Sequence, residues 1–119
     1  MVMTYGEPSS WEALAGTGPD AMSPEEIAAH FQAMQALQEE LTATGELVTA
    51  FGLSEPARAL TVDTRGGTPV VSDGPYAETK EFLAGFGIID VASHDRAVEL
   101  AGRFAEAVST RVELRPVHG

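Results

Sequence analysis

The chain contains no cysteine, few basic residues and no long apolar segment. Without cysteine it can form neither a disulfide framework nor a thiolate metal site. No apolar run approaches the roughly 20 residues that a membrane-spanning helix needs. Residues 1–5 lack the basic start and the long apolar stretch of a secretory signal peptide. These absences predict a cytoplasmic protein with no membrane span.

Basic side chains are outnumbered by acidic ones. Seven Lys and Arg face 18 Asp and Glu, which gives a formal net charge of −11. Binding to nucleic acid depends on clustered basic side chains, and anionic membrane surfaces attract the same clusters. We therefore expect no nucleic-acid partner and no membrane partner. The acidity itself favours solubility.

The spacings typical of metal and cofactor sites are also missing. No two histidines share a helix face, and no His-x-Glu pair occurs. Gly66-Gly67 is predicted to form a hairpin turn rather than a phosphate loop, because no helix follows it. Ser72 lacks the nucleophile-elbow surroundings of a hydrolase. We expect neither a metal nor a cofactor.

The residues that are present predict one α+β domain over residues 1–119. Ser23, Pro24 and Glu26 form a capping box with proline at the first helical position, and Gly45 ends the helix. A second helix is predicted over residues 93–108. Strands are predicted over residues 2–5, 46–53, 59–63, 68–72, 85–91 and 111–117, the fourth of them short. The order β-α-β-β-β-β-α-β indicates a ferredoxin-like split βαβ fold, with an antiparallel sheet and two helices on one face.

Two features go beyond this minimal fold. Phe86, Ile88 and Ile89 place apolar groups on both faces of one strand, although the helices would cover only one face. A second copy of the chain is the economical cover, which predicts a homodimer whose sheets face each other. Residues 6–22 are predicted to be a structureless connection, typical of a lid or a binding loop. Trp11 within it is expected to anchor over a cavity mouth.

The densest polar cluster is Asp73-Gly74-Pro75-Tyr76-Ala77-Glu78-Thr79-Lys80-Glu81. Asp, Gly and Pro in this order favour a tight turn, so the cluster is also compatible with a plain surface turn capped by Asp73. Together with Gly85-Phe86, it resembles the signature of the DGPF branch of the YCII-related family. Tyr5-Gly6, Gly45-Glu46-Leu47 and the segment 112–117 match that family as well. Tyr76 replaces the usual Phe, and Ala84 stands where Gly is frequent.

The resemblance implies a ferredoxin-like fold and the dimeric α/β-barrel assembly. It also implies a suspected His–Asp pair in the YCII branch, a relative that acts as a dehydrochlorinase on a chlorinated aromatic, and genes that neighbour extracytoplasmic-function sigma factors. His118 is penultimate, and His94 begins the second helix. His30 lies in the first helix, further from the closing glycine than the family histidine. His30 is either the proton carrier of a His–Asp pair or a hydrogen-bonded residue at the edge of the buried face of this helix.

Two functions follow from these residues. The leading hypothesis is a cofactor-independent lyase, isomerase or cyclase that uses acid–base chemistry on a small molecule, with Asp73 and His30 as catalytic residues. The predicted substrate-binding residues are Tyr5, Trp11, Tyr76, Glu78, Thr79 and Lys80. The alternative is a non-catalytic module that senses a ligand or binds a protein partner such as a sigma factor.

Overall fold

The computed structural model describes residues 1–75 and 80–118. Within these residues the chain forms six strands, three α-helices and one 3-10 turn. In chain order they are β1 (Val2–Gly6), α1 (Pro8–Leu14), α2 (Pro24–Ala43), β2 (Leu47–Gly52), the 3-10 turn (Pro56–Arg58), β3 (Leu60–Arg65), β4 (Thr68–Asp73), β5 (Phe82–Ile89), α3 (His94–Val108) and β6 (Val112–Leu114).

The main sheet has four strands in the order β2-β5-β1-β6, and its neighbours are antiparallel. β5 lies between β1 and β2, so β1 and β2 run parallel on either side of it, as in a split βαβ unit. The predicted α+β class and antiparallel sheet are confirmed. The topology is consistent with a ferredoxin-like fold.

The hairpin β3–β4 departs from the predicted single sheet. The two strands pair with each other in a separate two-stranded sheet, with β4 running for six residues rather than being short. The turn at Gly66 and Gly67 is confirmed, since both have positive φ angles of 59° and 83°. β6 is shorter than predicted. Within the described residues it pairs with β1, from Val112 opposite Thr4 to Leu114 opposite Val2, and the Arg115 N–H beyond it donates to the Met1 carbonyl at 2.9 Å.

Helix α2 begins and ends where the sequence predicts. The Ser23 hydroxyl accepts a hydrogen bond from the Glu26 N–H at 3.2 Å, and the Glu26 side chain accepts one from the Ser23 N–H at 3.3 Å. This reciprocal pair is the predicted capping box. Leu37 and Leu41 of this helix are buried.

The core lies between the sheet and one layer formed by α2 and α3. Its buried members come from both helices and the central strand β1: Val2, Leu37, Leu41, Leu100, Ala101 and Phe104. The Phe104 ring of the helix layer packs over Gly87 of β5, 3.5 Å from where a Cβ atom would stand, which is an ordinary van der Waals distance.

The prediction of a structureless segment over residues 6–22 is wrong. Pro8–Leu14 forms helix α1, with Pro8 in its first turn. The helix has seven residues, lacks a side-chain cap and buries none of its residues. Apart from Pro8, it therefore lacks the signals that predict a helix from sequence, namely a side-chain cap and an apolar stripe long enough to display the 3.6-residue period.

Candidate functional site

The sheet face turned away from α2 and α3 is apolar at its centre. Because side chains alternate along a strand, Val2 on the core side places Met3 on the opposite face, where it is paired with Phe86 of β5 and is only 5% exposed. Phe86 in turn is paired with Phe51, and their ring centroids lie 6.1 Å apart. Ile88 lies on this face too, whereas Ile89 packs against the core. The prediction that β5 carries apolar groups on both faces is confirmed.

A phenol and a carboxylate meet on this open face. The Tyr5 hydroxyl donates a hydrogen bond to Glu113 Oε2 at 2.9 Å and lies 3.6 Å from the Met3 sulfur. The hydrogen bond to Glu113 raises the pKa of Tyr5, and burial and the carboxylate charge raise it further, while Arg115 opposes them. Tyr5 therefore holds its proton more firmly than a free phenol does.

The pair borders a pocket of about 400 Å³. The pocket lies where β1 ends and where β5 and β6 begin, and its lining residues are Tyr5, Glu81, Thr110, Arg111, Val112 and Glu113. It combines a proton acceptor, a hydrogen-bond donor and a guanidinium group. Such a set is able to move a proton on a small molecule held there.

The loop at Asp73 closes the base of the hairpin β3–β4. The Gly74 N–H donates to the Ala59 carbonyl, and the Thr61 hydroxyl donates to the Gly74 carbonyl, both at 2.8 Å. Gly74 has a positive φ of 94°, which an L-residue rarely adopts. Asp73 is exposed at the end of β4. The predicted turn at Asp73-Gly74-Pro75 is thus present.

The remaining residues of the motif are only partly described. Tyr76, Glu78 and Thr79 lie outside the described residues. Lys80 is exposed, and Glu81 lines the pocket beside Tyr5. The motif therefore leads in sequence from the hairpin base directly to the open-face pocket.

His30 lies on α2 and is half-buried. Its ring meets that of Phe31 edge to face, with 5.3 Å between the centroids. Within residues 1–75 and 80–118 no hydrogen bond joins His30 to Asp73, and neither residue lines the Tyr5–Glu113 pocket or the groove of about 680 Å³ between α2 and Leu47. The Asp73–His30 pair stays a prediction.

Trp11 fixes helix α1 to the main sheet. Its indole N–H donates to the Leu53 carbonyl at 3.0 Å, just beyond the end of β2. A side chain at Gly6 would lie within 3.4 Å of both Ser10 and Trp11, so glycine allows this close packing. Trp11 lines neither of the two pockets described above. Its predicted role in substrate binding stays a prediction.

Glu46, part of the segment that resembles the family, has a bracing role. Arg96 of α3 donates to both of its carboxylate oxygens, at 2.8 and 2.9 Å, and Thr44 donates to one of them at 2.9 Å. These bonds lower the pKa of Glu46 to about 2, because they stabilise its charged form. The ion pair joins the start of β2 to the first turn of α3.

Glu113 is the functional candidate that the sequence analysis did not select. The alternation in β6 placed it on the side away from Val112 and Leu114, which pack against the core. Its place beside Tyr5 arises from pairing between the two ends of the chain, since β6 lies beside β1. The pairing of the last strand with the first was the signal by which Glu113 could have been identified.

Two features are absent from the described residues, namely a cluster of metal ligands and a membrane-spanning helix. Across residues 1–75 and 80–118, no group of three or more His, Asp or Glu side chains is arranged to hold a metal ion. No helix in the same residues combines the length and apolar character that crossing a bilayer requires.

Comparison with known proteins gives the family. The model of the YCII-related domain matches residues 1–118. An uncharacterized protein of Rhizobium meliloti (strain 1021) is 35% identical over 99 residues, which cover 82% of this chain and 80% of the relative. The family match extends across the sheet, the helices and the open-face pocket. The chain belongs to the YCII-related family.

Proposed function

We propose that the protein is a homodimeric, cofactor-independent acid–base enzyme that acts on a small enolisable molecule in the Tyr5–Glu113 pocket. The observation that carries this proposal is the 2.9 Å hydrogen bond between a phenol and a carboxylate beside an open pocket. General acid–base catalysis needs such a pair within reach of one substrate.

The chemistry requires one proton transfer in each direction. Glu113 takes a proton from the carbon next to a carbonyl group, and the electrons of the broken C–H bond move to the carbonyl oxygen. As Glu113 takes up the proton, the Tyr5 hydroxyl turns its single hydrogen from that carboxyl group to this oxygen and donates a hydrogen bond to it. Return of the proton to another carbon completes an isomerisation, and departure of a leaving group completes an elimination.

The dimer is supported by the surface of a single chain. A folded chain of 12.5 kDa is expected to expose about 6,200 Å², whereas this one exposes 8227 Å². Its radius of gyration, 16.4 Å, also exceeds the roughly 13.5 Å of a compact chain of this length. Stable interfaces cover about 800 Å² of each partner, so the excess is large enough for one. The sheet's open face, with Phe51 exposed at its rim, is the surface to cover.

Within the YCII-related family we place the chain in the DGPF branch, on the strength of Asp73-Gly74-Pro75 and the residues that follow. Asp73 and His30 remain the predicted catalytic pair of that motif. Glu113 has the stronger geometric support because it already holds a proton donor at hydrogen-bond distance.

Proton exchange tests the proposed chemistry. Small 2-oxo acids and 1,3-dicarbonyl compounds, incubated with the protein in D2O, lose the NMR signal of an acidic C–H proton when an enzyme removes it. We expect at least one compound to exchange roughly 100-fold faster with the wild-type protein than with Glu113→Gln. Glu106→Gln, an exposed carboxylate on α3, serves as the matched control and should behave as wild type.

The same experiment separates the alternative function. A non-catalytic ligand-sensing or sigma-factor-binding module would show equal exchange in the wild-type protein, Glu113→Gln and Glu106→Gln for every compound. That result would overturn the acid–base proposal.

A further inference from the structure

The hairpin β3–β4 has one apolar face and one polar face. Leu60 is paired with Asp73, and Val62 is paired with Val71. Paired residues in an antiparallel ladder share a face, so these four side chains stand together. The opposite face carries mainly polar side chains, namely Thr61, Asp63, Arg65, Thr68 and Ser72, together with Val70.

In one chain this apolar face has no cover. Leu60 is 61% exposed, Val62 60% and Val71 56%. The hairpin forms a sheet of its own, and every residue of β4 is exposed. An isolated two-stranded hairpin is marginally stable at best in water, because it cannot bury an apolar face by itself. Something must cover Leu60, Val62 and Val71.

We propose that the hairpin is an arm that packs its apolar face against a second copy of the chain. The inference rests on the dimer proposed above, and the surface area favours this occupant. The chain exposes about 2,000 Å² more than expected for its mass, which is roughly twice what one partner buries in an interface of standard size. Sheet contact and arm contact together fit that excess better than either one alone.

Charge also favours this patch as a contact between copies. Each chain carries a net charge of −11, so two copies repel each other over most of their surfaces. Leu60, Val62 and Val71 are uncharged, and the acid on their face is Asp73, at the base of the arm.

Two neighbouring residues of β4 give a matched test. Val71→Lys places a cation on the apolar face, and Ser72→Lys places the same cation on the polar face. Both variants reduce the repulsion between copies, so only a covered apolar face makes the first one weaken the dimer. Analytical ultracentrifugation should show the dimer dissociation constant rising at least about tenfold for Val71→Lys and staying within about twofold for Ser72→Lys.

Hydrogen exchange provides an independent measurement on the wild-type protein. Amides of β3 and β4 should exchange more slowly above the dimer dissociation constant than below it, because the partner covers them. The arm inference is overturned if the wild type dimerises, both lysine variants have its dimer dissociation constant, and exchange of the hairpin amides does not depend on concentration. The proposed dimer would stand in that case. A monomeric wild type would overturn the arm and the dimer together, and the proton-exchange assay would still judge the chemistry.

Discussion

Glu46 and Glu113 are both carboxylates held by one strong partner, but the partners suit them to different tasks. Arg96 is a permanent cation that grips both oxygens of Glu46, so this carboxylate is fixed in its charged form. Tyr5 is a neutral donor to Glu113 and leaves that carboxylate able to accept a proton. The first arrangement braces the fold, and the second is suited to proton transfer.

The Glu46 brace predicts a specific pH dependence. Its pKa is about 2 in the folded chain, against 4.5 for a free glutamate, so its stabilising effect is present above pH 4.5 and is lost as the pH falls toward 2. We expect Glu46→Gln to unfold more easily than wild type at pH 7 and the difference to vanish near pH 2. Denaturant titrations at several pH values check this, with Glu106→Gln as control. A difference that does not change with pH would contradict the ion-pair explanation.

Asp73→Asn separates shape from charge at the motif. Asparagine also forms side-chain turns, and the loop is held by backbone and threonine hydrogen bonds, so the free energy of unfolding should fall by well under about 1 kcal/mol. If Asp73 takes part in the chemistry, the loss of its negative charge should lower the proton-exchange rate while the melting temperature barely moves. We expect this outcome. Unchanged exchange would remove Asp73 from the catalytic residues.

Among the elements, β5 carries two glycines whose surroundings differ. It is the only strand of the main sheet paired with both β1 and β2, and its core-side positions 85 and 87 are glycines. At Gly85 the neighbours are backbone and a strand side chain. At Gly87 the neighbours are the Phe104 ring and the Ala50 methyl group. The two glycines therefore differ in what a side chain would meet.

This difference predicts unequal costs for two alanine substitutions. A Cβ atom at Gly85 would lie 3.0 Å from the Phe51 carbonyl oxygen and 3.2 Å from the Thr4 hydroxyl, and a backbone atom within the ladder cannot easily move away. We expect Gly85→Ala to lower the free energy of unfolding by about 1–3 kcal/mol. Gly87→Ala, the matched control, meets its nearest atom at 3.5 Å and should cost less than about 1 kcal/mol. Equal effects in thermal or denaturant unfolding would contradict the packing argument.

Elements with strong local signals are the ones that the sequence predicts well. Helix α2 has a capping box at its start and a glycine just beyond its end, so local physics determines where it begins and ends. Helix α1 is held instead by contacts such as the long-range hydrogen bond from Trp11 to Leu53, which no local pattern reveals. The hairpin turn was predictable from Gly66-Gly67, but the separation of β3 and β4 from the main sheet was not, because pairing between distant strands is a property of the whole fold.

The candidate site follows the same rule. Tyr5 was predicted as a binding residue from the family resemblance. Glu113 was not selected, since its role depends on the register in which Met3 of β1 lies opposite Glu113 of β6. A sequence contains the residues of such a pair but not the register that brings them together.

Taken as a whole, the molecule is flat, with extents of 47 × 41 × 20 Å. Its thin dimension corresponds to one helix layer on one sheet, so the second sheet face has no layer of its own. Within the described residues the hairpin β3–β4 forms a two-stranded sheet of its own. Both features leave apolar surface exposed in a single chain.

The whole-molecule prediction concerns mass in solution. If a second copy covers the sheet face, light scattering during size-exclusion chromatography should give about twice the chain mass of 12.5 kDa. Phe51→Lys, which places a charge on the open face, should shift the protein toward one chain mass, whereas Gln35→Lys on the outer side of α2 should not. A monomeric wild type at micromolar concentration would contradict the dimer.

The bond from Trp11 to Leu53 makes the protein its own optical probe. Trp11 is the one tryptophan in the sequence, so intrinsic emission reports on a single place, the junction of α1 with the end of β2. Because α1 buries none of its residues, its detachment should require less free energy than unfolding of the sheet. Gentle heating would then shift the tryptophan spectrum to longer wavelength before the circular dichroism of α2 and α3 changes. A fluorimeter can thus follow one seven-residue helix while the rest of the fold stays intact.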